Sequence, residues 1–159
     1  MKEFRECVRL VLLVSSAAVI ASCSTVPAPS SRSCSAEENK RIVMEFSELA
    51  FARKQFREAF EKYVVENYMQ HNPRVPDGRE AAVRYLSGVA RDNPQWVRED
   101  KRVIAEGDLV AIHTHSRLKP EDRGNAIVDI VRLKNCRLVE HWDVIQPIPE
   151  QSANKNTMF

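Results

Sequence analysis

Apolar residues recur every three or four positions in three stretches of the chain, a spacing that turns one face of a helix toward a core. The stretches predict helices at residues 36–53, 55–65 and 78–91. Ser35 and Glu38 have the spacing of a capping box for the first helix, and Asp77 is the expected N-cap of the third. Residues 66–76 are polar, contain two prolines and predict an irregular segment.

After Pro94 the pattern changes to apolar–polar alternation or to short apolar runs, both of which are typical of strands. Strands are predicted at residues 96–105, 108–117, 125–134 and 137–146. Three helices followed by a meander of antiparallel strands predict an α+β domain, in which the helices cover one face of a curved sheet.

The N-terminal residues have a different pattern. A charged start at residues 1–9 precedes an uncharged run at 10–22, which is too short for a mature transmembrane helix but fits the apolar region of a signal peptide. The run ends in Ile20-Ala21-Ser22-Cys23, which resembles the lipobox of bacterial lipoproteins and predicts lipidation of Cys23. The alternative is an ordinary secretory signal followed by a chance cysteine.

This organisation predicts a signal segment at 1–22, a Ser/Pro-rich tether at 23–34 and one domain at 35–159. The protein is then expected to be exported and anchored to a membrane, facing the periplasm or the cell exterior. Disulfides form in such compartments. Cys34 and Cys136 are therefore either a bridge or a chance pair, and the sequence alone leaves both open.

The charge balance narrows the range of partners. The formal net charge is +2, and no basic run is interleaved with aromatic residues. Nucleic acid is therefore not an expected partner.

Several polar side chains fall on strand faces that also carry aliphatic residues. Because side chains alternate along a strand, His141 shares a face with Asp143, and His113 shares one with His115, while Asp129 lies on an aliphatic face of another strand. Together they predict a cavity with a few convergent polar groups, where burial raises the pKa of a carboxyl group toward the range of a general base. For each histidine alone, the alternative is a core residue with one hydrogen-bond partner.

A metal site is a further alternative. His113 and His115 would converge from one strand face, and Asp129, His141 or Asp143 would complete three or four ligands. Two-residue histidine spacing is common by chance, so no metal is predicted.

Four segments, "YMQHNPRVPDGREA", "EGDLVAIHTHSRL", "NAIVDIVRLKNCRLVEHWDVIQPIPE" and "NTMF", resemble the SnoaL-like polyketide-cyclase family of the nuclear-transport-factor-2-like superfamily. The nearest branch is that of predicted aldol-condensation enzymes. The resemblance covers about residues 37–159 and is most specific at "QHNP" and "EHWDVIQP". It implies a cone-shaped α+β barrel, with three N-terminal helices packed on a curved, mainly antiparallel sheet around a pocket.

The resemblance also implies a chemistry. Cyclases of this family need no cofactor: an Asp on the last long strand removes a proton next to a carbonyl, and the enolate closes a ring by aldol addition. Asp143 matches that base, while Asp129 and Asn72 match pocket-lining positions and His141 borders the base. The expected catalytic residues are therefore Asp143, Asp129 and His141, and Asn72 is expected to bind the substrate. The three other histidines, His71, His113 and His115, are expected to bind or polarise the substrate.

Two features depart from the family: Cys136 stands in a turn where relatives carry Gly, and the signal segment is absent from the cytoplasmic cyclases. Two hypotheses follow. One is an exported enzyme acting on a small carbonyl compound, and the other is a non-catalytic, membrane-anchored module that binds an apolar small molecule or a peptide. A homodimer is also expected, because Leu138, Trp142 and Val144 share the strand face opposite Asp143.

Overall fold

The structure is a computed structural model that describes residues 33–159. The predicted signal segment, Cys23 and the tether as far as residue 32 lie outside the described residues. The helices are α1 (Ala36–Ser47), which continues as a π-helical turn (Glu48–Ala52), α2 (Phe56–Tyr63) and α3 (Arg79–Asp92). No helix of residues 33–159 is long and apolar enough to span a membrane.

The N-caps of α1 and α3 can be compared with the two that the sequence predicts. Ser35 caps α1 as predicted, since its hydroxyl accepts a hydrogen bond from the backbone N–H of Glu38 at 3.2 Å. The prediction that Asp77 caps α3 is wrong. Gly78 is the N-cap, and Asp77 instead accepts a hydrogen bond from the backbone N–H of Gln70 at 2.7 Å.

Five strands form one sheet: β1 (Val64–Gln70), β2 (Val97–Glu106), β3 (Leu109–Arg117), β4 (Asn125–Lys134) and β5 (Arg137–Pro147). Their order is β1-β5-β4-β3-β2, and every pair is antiparallel except β1 with β5. The α+β class and the mainly antiparallel sheet are confirmed. The irregular segment predicted at 66–76 is wrong in its first part, because β1 follows α2 directly.

The helices cover one face of the sheet. The shared core contains Val43, Phe46, Phe60, Val110 and Leu138, all of them buried. Leu138 was expected on the outer face, but the register shifts between Arg132 and Leu133. The extra residue on β5 reverses the side-chain alternation there, so Leu138 points into the core, whereas Trp142 and Val144 stay outside.

A disulfide joins Cys34, before α1, to Cys136 in the β4–β5 turn, with the two Cα atoms 5.4 Å apart. Asn135 and Cys136 have φ values of 52° and 62°, as a tight hairpin turn requires. That backbone region favours glycine. Cys136 adopts this conformation although it has a side chain, and its sulfur is covalently linked to Cys34.

Replacing both cysteines by serine should lower the free energy of unfolding by about 2–4 kcal/mol, because the bond closes a loop of 102 residues in the unfolded chain. Urea unfolding of the full-length chain with and without reductant measures the loss. The matched variant, Cys34→Ser with Cys136→Gly, should recover roughly 1 kcal/mol by relieving the positive φ. Equal stability of the wild type and the double-serine variant would contradict the expectation.

Candidate functional site

A cavity of about 550 Å³ lies between the helices and the inner face of the sheet. Its walls combine aliphatic and polar side chains with a group of aromatic ones, Phe46, Phe51, Phe60, Tyr68 and Trp96 among them. Aromatic side chains give a large apolar surface with few conformations to restrict. A volume and lining of this kind suit a small apolar or planar molecule.

Asp129 is the most buried charged group of the cavity, at 7% exposure. Its Oδ2 accepts a hydrogen bond from Nη2 of Arg98, and its Oδ1 lies 3.0 Å from Nε2 of His141. The Arg98 guanidinium also lies over the ring of Phe51, with 4.1 Å between the guanidinium carbon and the ring centroid. Both carboxylate oxygens of Asp129 are thus satisfied by cationic or imidazole donors.

The pKa of Asp129 reflects two opposing effects. Burial raises it, but the charges and hydrogen bonds of Arg98 and His141 outweigh burial and lower the pKa to about 2. Asp129 is therefore ionised at neutral pH and too weak a base to take a proton from carbon. Its position suits a residue that holds Arg98 and His141 in place.

His141 is fixed from both sides. Its Nδ1 lies 2.7 Å from Oε1 of Gln70, and the same oxygen accepts the backbone N–H of Asn72 at 3.0 Å. Because that N–H identifies the Gln70 atom as an acceptor, Nδ1 of His141 must donate, and Nε2 donates to Asp129. Both ring nitrogens of His141 are therefore engaged by neighbouring side chains, which holds the ring in one orientation.

Asp143 lies directly opposite Asp129 in the β4–β5 register. Its Oδ2 accepts a hydrogen bond from Nδ2 of Asn72 at 2.6 Å. The Asn72 amide is oriented in turn, since its Oδ1 accepts the backbone N–H of Arg74 at 2.8 Å. No side chain or backbone N–H among residues 33–159 donates to Oδ1 of Asp143, so this oxygen can accept from solvent or from a ligand.

Asp129, His141 and Asp143 could each offer one metal-ligand atom, and these atoms lie within 4.8 Å of one another. Both oxygens of Asp129 and both nitrogens of His141 already bond to neighbouring side chains, Arg98 among them. A guanidinium at the first carboxylate opposes a cation there. The contacts of this trio fit a proton-transfer site better than a metal centre.

The three other histidines lie elsewhere, which corrects the expectation that they line the pocket. His113 and His115 are on the outer face of β3, where their rings pack on Phe159 with centroids 5.2 and 4.5 Å apart. His71 stacks on Trp142, also outside, and its Nε2 lies 2.9 Å from Oε1 of Glu140. His113 and His115, considered as the alternative half metal site, therefore do not meet Asp129.

The physical reason is the choice of face on β3. His113 and His115 do share one face, as parity predicts, but the opposite face carries Val110 and Ile112, which are buried in the core. The more apolar face of the strand turns inward. The C-terminal segment then brings Phe159 over the histidine face.

The cavity residues that the sequence analysis did not predict include Tyr68 and Gln70 on β1 and Arg98 on β2. The signal that could have found the first two is the alternation of Val64, Tyr68 and Gln70 along the missed strand. For Arg98, the signal is its parity with Trp96, which also lines the cavity.

The family model described as "SnoaL-like domain" matches residues 43–141, which is more than half of the chain. The chain belongs to the SnoaL-like family. No curated protein matches it. Its fold is the α+β cone of nuclear-transport-factor-2-like proteins.

Solved structures with this SnoaL-like fold include a candidate ketosteroid isomerase from Kribbella flavida, with a TM-score of 0.61 and 15% identity over 75% of this chain and 85% of that one. A candidate polyketide cyclase from Acidithiobacillus ferrooxidans has a TM-score of 0.57 and 17% identity over 68% and 87%. A SnoaL-like protein of unknown function from Burkholderia thailandensis has a TM-score of 0.60 and 15% identity over 72% and 99%.

At these identities the structures establish the fold of the SnoaL-like domain and not its chemistry. Proteins of this fold family bind small-molecule ligands. The family match spans Asn72, Asp129 and His141, and Asp143 lies two residues beyond its end.

Proposed function

We propose that the protein is a cofactor-independent enzyme that removes a proton from the carbon next to a carbonyl, in a reaction of the aldol, cyclase or isomerase type. The observation that carries the proposal is Asp143. One of its oxygens is held by Asn72, and the other is open in an aromatic-lined cavity. A positioned carboxylate with a free oxygen is what a general base requires.

The roles divide between two carboxylates that lie opposite each other. Asp129, with its pKa lowered to about 2, stays ionised and holds His141 in place. Asp143 forms no ion pair within hydrogen-bonding distance among residues 33–159, and Asn72 holds only one of its two oxygens. Two carboxylates in different environments divide structural and catalytic duties in this way in other enzymes.

Hydrogen–deuterium exchange tests the proposal without knowledge of the natural substrate. The purified full-length chain is added to 2-tetralone in D₂O, and the loss of the proton signal next to the carbonyl is followed by NMR. We expect exchange well above the buffer rate, because a carboxylate held beside the bound ketone should take the proton from any ketone that fits. Buffer-rate exchange of 2-tetralone that nonetheless binds in the cavity would contradict the proposal.

The second candidate function is a non-catalytic module that binds an apolar small molecule or a peptide. The aromatic lining favours it, since that lining would bind apolar ligands whether or not Asp143 acts as a base. Mass spectrometry of what co-purifies with the protein, combined with the exchange result, separates the two. A bound compound without a carbonyl, together with buffer-rate exchange, would favour the module.

We also propose that the protein is exported and anchored through a lipid on Cys23. Metabolic labelling with an alkyne fatty-acid analogue should mark the wild type and lose the mark in Cys23→Ala. Cys7→Ala is the matched control, because Cys7 precedes the apolar run and would leave with the signal segment. Equal labelling of wild type and Cys23→Ala would end the proposal.

A homodimer through the outer sheet face remains a prediction. An apolar row crosses four strands in register there, formed by Ile104, Ala111, Ile130 and Trp142, and Val144 beside it is 68% exposed. Such a patch favours a partner surface. Val144→Arg should shift sedimentation toward the monomer, while Met44→Arg on α1 should not. A wild-type monomer at micromolar concentration would contradict it.

A further inference from the structure

Gln70 is a cavity residue at the end of β1 that hydrogen-bonds to neither Asp129 nor Asp143. Its side-chain oxygen accepts two hydrogen bonds, one from the backbone N–H of Asn72 at 3.0 Å and one from Nδ1 of His141 at 2.7 Å. A carbonyl oxygen has two lone pairs, so both are used within the protein. The role of this oxygen is therefore to hold neighbouring groups rather than to bind a ligand.

The two groups that share this oxygen lead to the two carboxylates of the site. Asn72 donates from Nδ2 to Oδ2 of Asp143 at 2.6 Å, and Nε2 of His141 lies 3.0 Å from Oδ1 of Asp129. The Gln70 amide thus connects the proposed base with the ionised carboxylate opposite it. A displacement of this amide would change the position of both.

We infer that Gln70 is a positioning residue for the proposed reaction: it holds Asn72 and His141 together, and through Asn72 it fixes the position from which Asp143 takes the proton. The effect on the rate rests on the proposed function, whereas the contacts of Gln70 do not depend on it. Gln70 needs no contact with the reacting atoms for this role.

Gln70 is itself held at its backbone. Its N–H donates to Oδ1 of Asp77 at 2.7 Å, and the next N–H along the chain, that of His71, donates to the backbone oxygen of His141 at 2.9 Å. In the parallel pairing of β1 with β5, Gln70 lies opposite His141. Asp77 therefore fixes the backbone from which the Gln70 side chain extends, and a side chain supported in this way can position its neighbours precisely.

Loose positioning would slow the proton transfer. A base must lie within hydrogen-bonding reach of the proton that it takes, and a displacement of about 1 Å can cost about 10²-fold in rate. Asn72 holds only one oxygen of Asp143, so the orientation of that carboxylate depends on where the Asn72 amide lies. Two contacts fix this residue: its backbone N–H on Gln70, and its Oδ1, which accepts the backbone N–H of Arg74 at 2.8 Å.

Gln70→Met tests the inference, because it removes the accepting oxygen and keeps a side chain of similar length. In the full-length chain it should slow deuterium exchange into saturating 2-tetralone by about tenfold to 10²-fold. The concentration of 2-tetralone that gives half the maximal rate should change by less than about threefold, because Gln70 positions the base and does not bind the ketone. Gln146→Met is the matched control. Gln146 is exposed on β5 outside the cavity, so the wild-type rate should remain.

Nuclear magnetic resonance of the ¹⁵N-labelled chain gives a signature that a side chain with a merely structural role would not change. In the wild type, the Nδ1 proton of His141 and the amide proton of Asn72 should both exchange slowly with water, because each is bonded to Gln70. Both should exchange faster in Gln70→Met. Gln70→Glu keeps an oxygen that can accept both bonds, so it should retain the slow exchange and most of the rate.

The outcomes separate the inference from the proposed function. A Gln70→Met variant that is folded by near-ultraviolet circular dichroism and acts on 2-tetralone at the wild-type rate overturns the inference and leaves the proposed function intact. A wild type that binds 2-tetralone without exchange refutes the proposed function, while fast exchange of the two protons in Gln70→Met still supports the contacts of Gln70. If Gln70→Met does not fold, Gln70→Glu decides: slow exchange of both protons with most of the rate supports the inference, and loss of either overturns it.

Discussion

Asp143→Asn should slow proton removal from a bound ketone by a factor of about 10² to 10⁴, the usual weight of a general base. The amide has nearly the shape of the carboxylate and can still accept the hydrogen bond from Asn72. It has no basic oxygen with which to take a proton. The rate of deuterium exchange into 2-tetralone, compared with the wild type at equal occupancy, measures the effect.

The same variant distinguishes a base from a structural acceptor. We expect its melting temperature to stay near that of the wild type, because one oxygen of Asp143 has no partner to lose. A loss of about 1–3 kcal/mol in the free energy of unfolding would instead indicate a core hydrogen bond. Asp100→Asn is the matched control, since Asp100 lines the same cavity but bonds to Thr114 and Ser47 through its two oxygens.

Arg98→Met should lower the free energy of unfolding by about 3–5 kcal/mol, because it leaves the buried Asp129 without its strongest partner. Arg117→Met is the matched control. Arg117 also pairs with a carboxylate on this sheet, Glu99, but both side chains are partly exposed, so its loss should cost less than about 1 kcal/mol. Equal losses in the two variants would contradict the importance of burial.

The pH dependence should follow from Asp129. Its pKa is about 2 in the folded protein and 3.8 as the ordinary value, so the unfolded chain binds its proton first as the pH falls. The stability that this difference provides is complete above pH 4 and is lost between about pH 4 and pH 2. The wild type should lose about 2 kcal/mol over that window, and Asp129→Asn should lack this component of the loss.

The fold was largely predictable because the helices and four strands carry strong periodicity. The strand β1 was missed because the centre of VVENYMQ is polar and exposed, and it lies at a sheet edge where one side needs no apolar neighbours. Its pairing with β5 is parallel, and nothing in a local pattern specifies a partner so distant in sequence. Asp77 resembled a cap but completes a turn with Gln70 instead.

The sequence predicted the site correctly where the alternation of side chains along a strand is enough to group them on one face. His141, Asp143 and Asp129 share an inner face, as the alternation in β4 and β5 indicates. Parity says which side chains share a face but not which face turns inward, so the histidines of β3 were placed wrongly. Their position depends on tertiary contacts with Phe159 and on the core beneath β3, which no local sequence pattern shows.

The disulfide between Cys34 and Cys136 also sets the mechanical path through the domain. A force applied between residue 33 and the C-terminus passes through the bond, so the loop that contains all three helices and the first four strands bears no direct load. The load falls on the chain after Cys136, which is β5, held between β1 and β4. Stretching the domain would therefore pull first on the strand that carries His141 and Asp143, so ligand binding should resist extension.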